Sequence, residues 1–237
     1  QVTHDPGFAP NARQQLLEMI RQHGNHCSIF TWSLSNEMYH KTTAEPMGLL
    51  QELNALSHAE DPTRLTTLAT NYRRKPLCCL TDIVAFNNYP GWYGSNADAM
   101  AGELSRYNKV GASRGIGVSE YGAGGSILHQ DLSLKRVDPG GEWHPEQWQA
   151  YLHERQYSAI MNAPYCWGSF VWAMFDFSSD GRSEGDRPGV NDKGLMTHDR
   201  KIRKDVFYFY SAQWSREPVL HLTSKRYRIR NTSDVSV

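Results

Sequence analysis

Neither sign of charge predominates in this chain: 25 Lys and Arg balance 25 Asp and Glu. The composition therefore calls for no nucleic acid or other polyanionic partner. No apolar run approaches the ~20 residues of a membrane-spanning helix, and no basic segment followed by an apolar one opens the chain, so no membrane partner is expected. Gln1 stands first where a methionine would begin a complete product, which leads us to expect a piece of a longer polypeptide. Cysteine is scarce. Cys78 and Cys79 are adjacent and poorly placed to pair with each other, while Cys27 and Cys166 sit in apolar segments, so buried free thiols are expected. No Cys or His spacing resembles a zinc site, and no metal is assigned. No glycine-rich phosphate loop follows any apolar run, which leaves a dinucleotide fold unsupported.

What is present is an alternation of helical and strand patterns. Across 237 residues, 39% of them hydrophobic, there is enough apolar side chain for a sizeable core. Asn11 followed by Gln14 resembles a capping box, and Leu16, Leu17 and Ile20 make one helical face that ends at Gly24. A strand is predicted over 28–34. Pro46 suits the first turn of a second helix, with Leu49, Leu50, Leu53 and Leu56 inward and Asp61-Pro62 ending it. Strands follow over 64–70 and 82–86, a helix over 97–109 and a strand over 115–119. A helix over 145–161 with Trp148, Leu152 and Ile160 on one side precedes a strand over 167–175. The fold class is α/β. Right-handed crossovers fit the later intervals, and part of an eight-stranded (β/α)8 barrel suits this repeat better than an open sheet.

Two strands run straight into a glutamate, a residue that strands disfavour. Thr31-Trp32-Ser33-Leu34-Ser35-Asn36 leads to Glu37, and Gly117-Val118-Ser119 leads to Glu120. A single glutamate after a strand is ordinarily a solvated loop residue. Two of them, both at the carboxyl edge of a parallel α/β pattern, stand where such folds keep their chemistry. Glycoside hydrolysis requires two carboxyl groups, one to protonate the departing oxygen and one to attack the sugar carbon or activate water.

These segments resemble glycoside hydrolase family 2, the β-galactosidase and β-glucuronidase family. Asn25-His26-Cys27-Ser28-Ile29-Phe30-Thr31-Trp32-Ser33-Leu34-Ser35-Asn36-Glu37 is similar to its acid/base segment, with Cys27 standing where the family usually has proline. Phe86-Asn87-Asn88-Tyr89-Pro90-Gly91-Trp92-Tyr93 resembles its sixth-strand segment and Ser119-Glu120-Tyr121-Gly122-Ala123 its nucleophile segment. Phe170-Val171-Trp172-Ala173-Met174-Phe175-Asp176-Phe177 resembles the eighth, and Asn191-Asp192-Lys193-Gly194-Leu195-Met196 matches a later motif. The resemblance implies a catalytic (β/α)8 barrel of which residues 1–214 supply strands 4 to 8. It also implies that 215–237 form a linker and the first strand, at 218–222, of a following β-sandwich domain. A barrel with five of its eight strands would leave two unpaired edges, so isolated folding and activity are doubtful.

The mechanism the resemblance implies is retaining. Glu120 is the nucleophile and Glu37 the general acid and base, with carboxyl groups about 5 to 5.5 Å apart. Asn36 bonds the sugar 2-hydroxyl, Tyr89 donates its hydroxyl to Glu120, and Trp172 forms an apolar platform under the sugar. Asn191 and Lys193 match an N-x-K pair that contacts the substrate carboxylate in β-glucuronidases. The wording of 185–194 and 122–127 instead resembles members described as β-galactosidases. A β-galactoside is therefore the first expectation, a β-glucuronide the alternative, and an inactive fragment a third. Trp92 and Tyr93 fit either an aglycone subsite or packing, Asp176 a sugar hydroxyl or a neighbouring Arg, and His129 either cleft or surface. No cofactor is expected, the partner is a carbohydrate substrate, and the full-length enzyme is a possible homo-oligomer. Asn231-Thr232-Ser233 fits a glycosylation sequon.

Overall fold

The sequence pattern is realised in a computed structural model that describes residues 5–38, 44–94, 96–110 and 115–228, so the sequon lies outside the described residues. In chain order the elements are α1 (Phe8–His23), β1 (Thr31–Asn36), α2 (Ala44–Glu60), β2 (Leu65–Thr70), α3 (Lys75–Cys78) and β3 (Val84–Asn87). A 3-10 turn (Ala97–Ala99) then runs into α4 (Met100–Asn108), followed by β4 (Ile116–Tyr121), α5 (Glu146–Met161) and β5 (Cys166–Val171). The short β6 (Phe177–Ser178) and β7 (Val190–Asn191) pair antiparallel, and α6 (Asp205–Trp214) closes the series. β1 to β5 form one sheet in sequential order, and the β1–β2 and β2–β3 ladders are parallel. This is the expected partial (β/α)8 barrel. β3 is buried at all four positions, as a barrel strand should be, whereas β5, at one edge of the sheet, is fully buried at none.

By their contacts the residues fall into two compact units. The first comprises the described residues of Gln1–Asn88, Gly102–Ser119 and Ala163–Ser169; the second those of Tyr89–Ala101, Glu120–Asn162 and Phe170–Val237.

In the first unit, Leu16 and Ile20 of α1 and Leu53 of α2 close over Trp32 of β1. The Trp32 indole N–H donates to Asp61 (2.9 Å), which also accepts from Thr63 and from Arg64 (2.7 Å). The Thr63 hydroxyl, with help from Arg64 and Trp32, holds the Asp61 carboxyl well below the usual carboxylate range. Arg64 in turn donates to the carbonyls of Gly24 and Ile29, which ties the turn between α1 and β1 to the start of β2. Phe86 stacks on Tyr107, ring centroids 3.9 Å apart. Gly117 of β4 must lack a side chain, since a Cβ there would lie 2.3 Å from the Trp167 ring.

The second unit has its core in Trp92, Ala97, Ala123, Trp148 and Leu152. α6 packs on α5 through Tyr157, which meets Phe209, Tyr210 and Trp214 edge-on.

Several expectations are corrected. α1 begins at Phe8 after an N-cap Gly7 that makes no side-chain cap bond, so Asn11 lies inside the helix, where its side chain accepts from Gln15. The three residues that precede it belong to the same helix because an exposed first turn needs no capping box once Leu16 and Ile20 are buried. β1 starts later than expected and runs through Asn36, while β5 stops at Val171. Pro218 to Leu222 form no strand: His221 instead stacks on Tyr208 and bonds Asp205 (3.0 Å), leaving Leu220 and Leu222 exposed. All four thiols are free, but Cys27 and Cys79 are exposed, Cys166 is half-buried, and only Cys78 is buried.

Candidate active site

Glu37 follows directly on β1, in the first unit. Its φ of 44° is in the left-handed region, uncommon for a residue with a side chain and characteristic of functional sites. Its N–H donates to the Ala69 carbonyl (3.0 Å), and Asn87 Nδ2 donates to its Oε1 (2.9 Å). The other proton of the same Asn87 amide goes to Asn36 Oδ1 (2.9 Å), and Asn87 Oδ1 accepts from Ser119 (2.6 Å). Asn36 and Glu37 are thus oriented by one amide whose donors and acceptor are all engaged. In the sequence Asn87 is marked only by standing in a pair of asparagines at the end of an apolar strand.

Glu120, near the end of β4, opens a segment of the second unit. Tyr89 donates its hydroxyl to Glu120 Oε2 at 2.7 Å, as the sequence suggested. Behind the carboxylate the chain turns through Gly122, whose φ of +136° only glycine adopts readily. The peptide bond between Trp172 and Ala173 is cis. Trp172 is 37% exposed, meets Phe177 edge-on, and its N–H donates to the Tyr121 carbonyl (3.0 Å).

The strand expected to continue to residue 175 turns instead alongside the segment that carries Lys193. Ala173 N–H donates to the Lys193 carbonyl, and Leu195 N–H returns to Ala173. Asn191 Oδ1 accepts from the Lys193 N–H (3.1 Å). Lys193 itself is 2% exposed, with its ammonium 5.5 Å from the centroid of the Trp92 ring and 5.1 Å from that of Tyr93. No carboxylate among the described residues lies within ion-pair distance of it. Aromatic faces attract a cation, but they replace only part of its hydration. Trp92 is completely buried and belongs to the core, whereas Tyr93 is exposed.

Asp176 pairs with Lys204 (2.7 Å) and not with an arginine. Burial pushes its carboxyl up to about 6 against the pull of that ammonium. Burial also works against ionised Asp192, yet the bond from His144 (2.6 Å) and the nearby Lys204 and Lys193 charges keep it below the ordinary value. His129 stacks on Trp143 and accepts the His144 N–H through Nδ1. Among the described residues no group of three or more His, Cys, Asp or Glu could hold a metal, and no helix is long and apolar enough to cross a membrane.

His153 on α5 is fully buried, and desolvation depresses its pKa to about 3. A histidine that titrates near 6.5 when unfolded and about 3 when folded contributes stability that is complete above 6.5. That contribution is lost as pH falls toward 3, at about 1.4 kcal/mol per unit. His153→Gln is expected to remove this slope. Denaturant unfolding of both forms between about pH 7 and about pH 4.5 checks it, and parallel stability curves would rule the histidine out as the source.

A family model described as glycosyl hydrolases family 2, TIM barrel domain, matches residues 1–216. A β-glucuronidase of Bacteroides fragilis is 51% identical over 224 residues, which are 94% of this chain and 32% of that protein. Among solved structures, a putative β-galactosidase from Bacteroides fragilis has a TM-score of 0.86 at 36% identity, covering 94% of this chain and 34% of its own. The β-glucuronidase 2 of Bacteroides uniformis, covalently bound to cyclophellitol-6-carboxylate aziridine, has a TM-score of 0.85 at 34% identity, covering 95% and 28%. The chain spans about a third of the length of the β-glucuronidase it matches at 51% identity.

Proposed function

Given that the chain belongs to glycoside hydrolase family 2, matched over residues 1–216, we propose that the protein hydrolyses terminal β-D-glucuronides with retention of configuration. Glu120 attacks the anomeric carbon while Glu37 gives its proton to the departing oxygen. A glycosyl ester on Glu120 and a free alcohol result. Glu37, now a carboxylate, takes a proton from water, which attacks the same carbon and releases glucuronic acid and the Glu120 carboxylate. The Tyr89 hydroxyl bond keeps Glu120 aimed. Asn36, oriented by Asn87, serves the sugar 2-hydroxyl, where a bond gains strength as positive charge develops on the ring. Trp172 offers its exposed face to the sugar carbons.

The observation that carries the choice of sugar is Lys193, a residue 2% exposed whose ammonium stands beside Trp92 and Tyr93 with no carboxylate at ion-pair distance among the described residues. A glucuronide brings a carboxylate, which Asn191 and Lys193 would receive; a galactoside brings a neutral hydroxymethyl and leaves the charge uncompensated. The β-glucuronidase at 51% identity favours the same sugar. A galactoside, ranked first on motif wording, becomes the second reading, favoured by the structure at 36% identity. The deciding experiment compares kcat/KM of the full-length protein on nitrophenyl β-D-glucuronide and β-D-galactoside. The glucuronide is expected to lead by about 10³-fold or more. A galactoside lead of any size would overturn the proposal.

A further inference from the structure

Helix α5 is anomalous for a barrel helix, because the face it buries is polar as well as apolar. Alongside Trp148, Leu152 and Ile160, the residues Gln149, His153 and Gln156 are each completely buried. At spacings of four and three they lie in one row along the helix. A buried polar group is retained only where something bonds it. Here the bonds of both glutamines, and one of the two made by the histidine, go to backbone near a residue of the proposed site. Gln149 Nε2 donates to the carbonyls of Ala123 (2.9 Å) and Gly194 (3.2 Å), three residues after Glu120 and one after Lys193. His153 Nε2 accepts the Ala123 N–H (3.2 Å). Its Nδ1–H therefore donates to the Tyr210 hydroxyl (2.9 Å), whose own O–H donates to the hydroxyl of Tyr121, the residue after Glu120 (3.1 Å). Gln156 Nε2 donates to the carbonyl of Pro90, next to Tyr89 (2.8 Å).

We infer that the row Gln149, His153 and Gln156 is a positioning device that sets Glu120, Tyr89 and Lys193 in register with one another; the inference rests on the catalytic and carboxylate-binding reading of those three. Ala123 spends both its backbone groups on this helix. Gly122 is interlocked with it, since a Cβ there would lie 2.6 Å from His153 Cε1. The two glutamines do not earn their place through satisfied bonding alone, because the Oε1 of each is buried without a partner among the described residues. An apolar side chain would avoid that cost, so the row is better explained by placement than by stability. Gln149 is the link with the most specific consequence. It joins the nucleophile segment to the lysine segment.

The test uses the full-length enzyme with Gln149→Met, His153→Leu and His153→Gln, each normalised to active sites titrated with a 2-deoxy-2-fluoro glucuronosyl fluoride. Gln149→Met is expected to lower the glucuronide-to-galactoside ratio of kcat/KM by about tenfold, mainly through glucuronide KM. His153→Leu is expected to lower kcat and the labelling rate of Glu120 together by about 30-fold, with KM within about twofold. His153→Gln, which keeps an acceptor for the Ala123 N–H, recovers most of that loss. A merely structural row would lower the melting temperature of all three and leave the ratio and the per-site kcat unchanged, and that result overturns the inference. If His153→Leu fails to fold, the ratio in Gln149→Met decides alone. Wild-type enzyme labelled at a residue other than Glu120 would defeat the proposed function itself, which is a different outcome from labelled Glu120 with insensitive variants.

Discussion

Glu120→Gly in the full-length protein is expected to reduce kcat on a nitrophenyl β-glucuronide by about 10⁴-fold or more, and azide is expected to restore turnover with inverted stereochemistry. In the proposed mechanism this carboxylate forms the covalent bond to the sugar, so nothing left in the variant can replace it. The cavity vacated by the side chain admits a small anion on the same face, opposite the leaving group. Azide attacking there gives the α-glycosyl azide in a single displacement. Glu37→Ala differs in a way that separates the two roles. Its nucleophile is intact, so nitrophenolate, which needs little protonation, still leaves and the glycosyl ester accumulates. Azide then attacks that ester from the other face and gives the β-glycosyl azide. Product configuration by NMR reads the assignment directly: a β-azide from Glu120→Gly would exchange the two glutamates. Tyr89→Phe, which loses only the hydroxyl bonded to Glu120, falls between these variants and the wild type.

Glu37 and Glu120 were legible because a charged residue at the end of an apolar strand violates the local preference, and such violations concentrate at sites. The helices over α1, α2 and α5 were legible from periodicity. α6 was not: Val206, Phe207, Tyr208, Phe209 and Tyr210 make an aromatic and β-branched run whose composition suits a strand as well as a helix, and only its packing on α5 decides. The sequence pattern extends β5 too far because Trp172 to Phe175 continue the apolar wording of a strand, while Ala173 and Met174 bond the segment that carries Lys193. Asn87 and the row on α5 were hidden for one common reason. Their partners are distant in sequence, and a polar side chain that orients another residue carries no periodic mark. The choice of sugar is hard to read from sequence for the same reason, since the wording of 185–194 carries no mark of the burial of Lys193.

Lys193→Met tests the charge with the least disturbance, since methionine replaces the lysine with an unbranched apolar side chain of similar reach beside Trp92 and Tyr93. Removing one partner of a buried, hydrogen-bonded charge pair costs about 3 kcal/mol or more, which is about 150-fold or more in glucuronide kcat/KM. Galactoside turnover is expected to stay within about threefold, because its hydroxymethyl has no charge to lose. Stability is expected to move the other way. Lys193 is buried with aromatic rings beside its ammonium and no carboxylate at ion-pair distance among the described residues, so methionine should raise the unfolding free energy by about 1 kcal/mol. Lys193→Arg should fail to rescue the glucuronide, since a planar guanidinium cannot occupy the place of a compact ammonium between two rings. Loss of both substrates together with a lower melting temperature would assign Lys193 to the fold. Loss of the glucuronide alone from a protein made more stable is the signature of a charge kept at a cost, for a substrate that arrives with the opposite one.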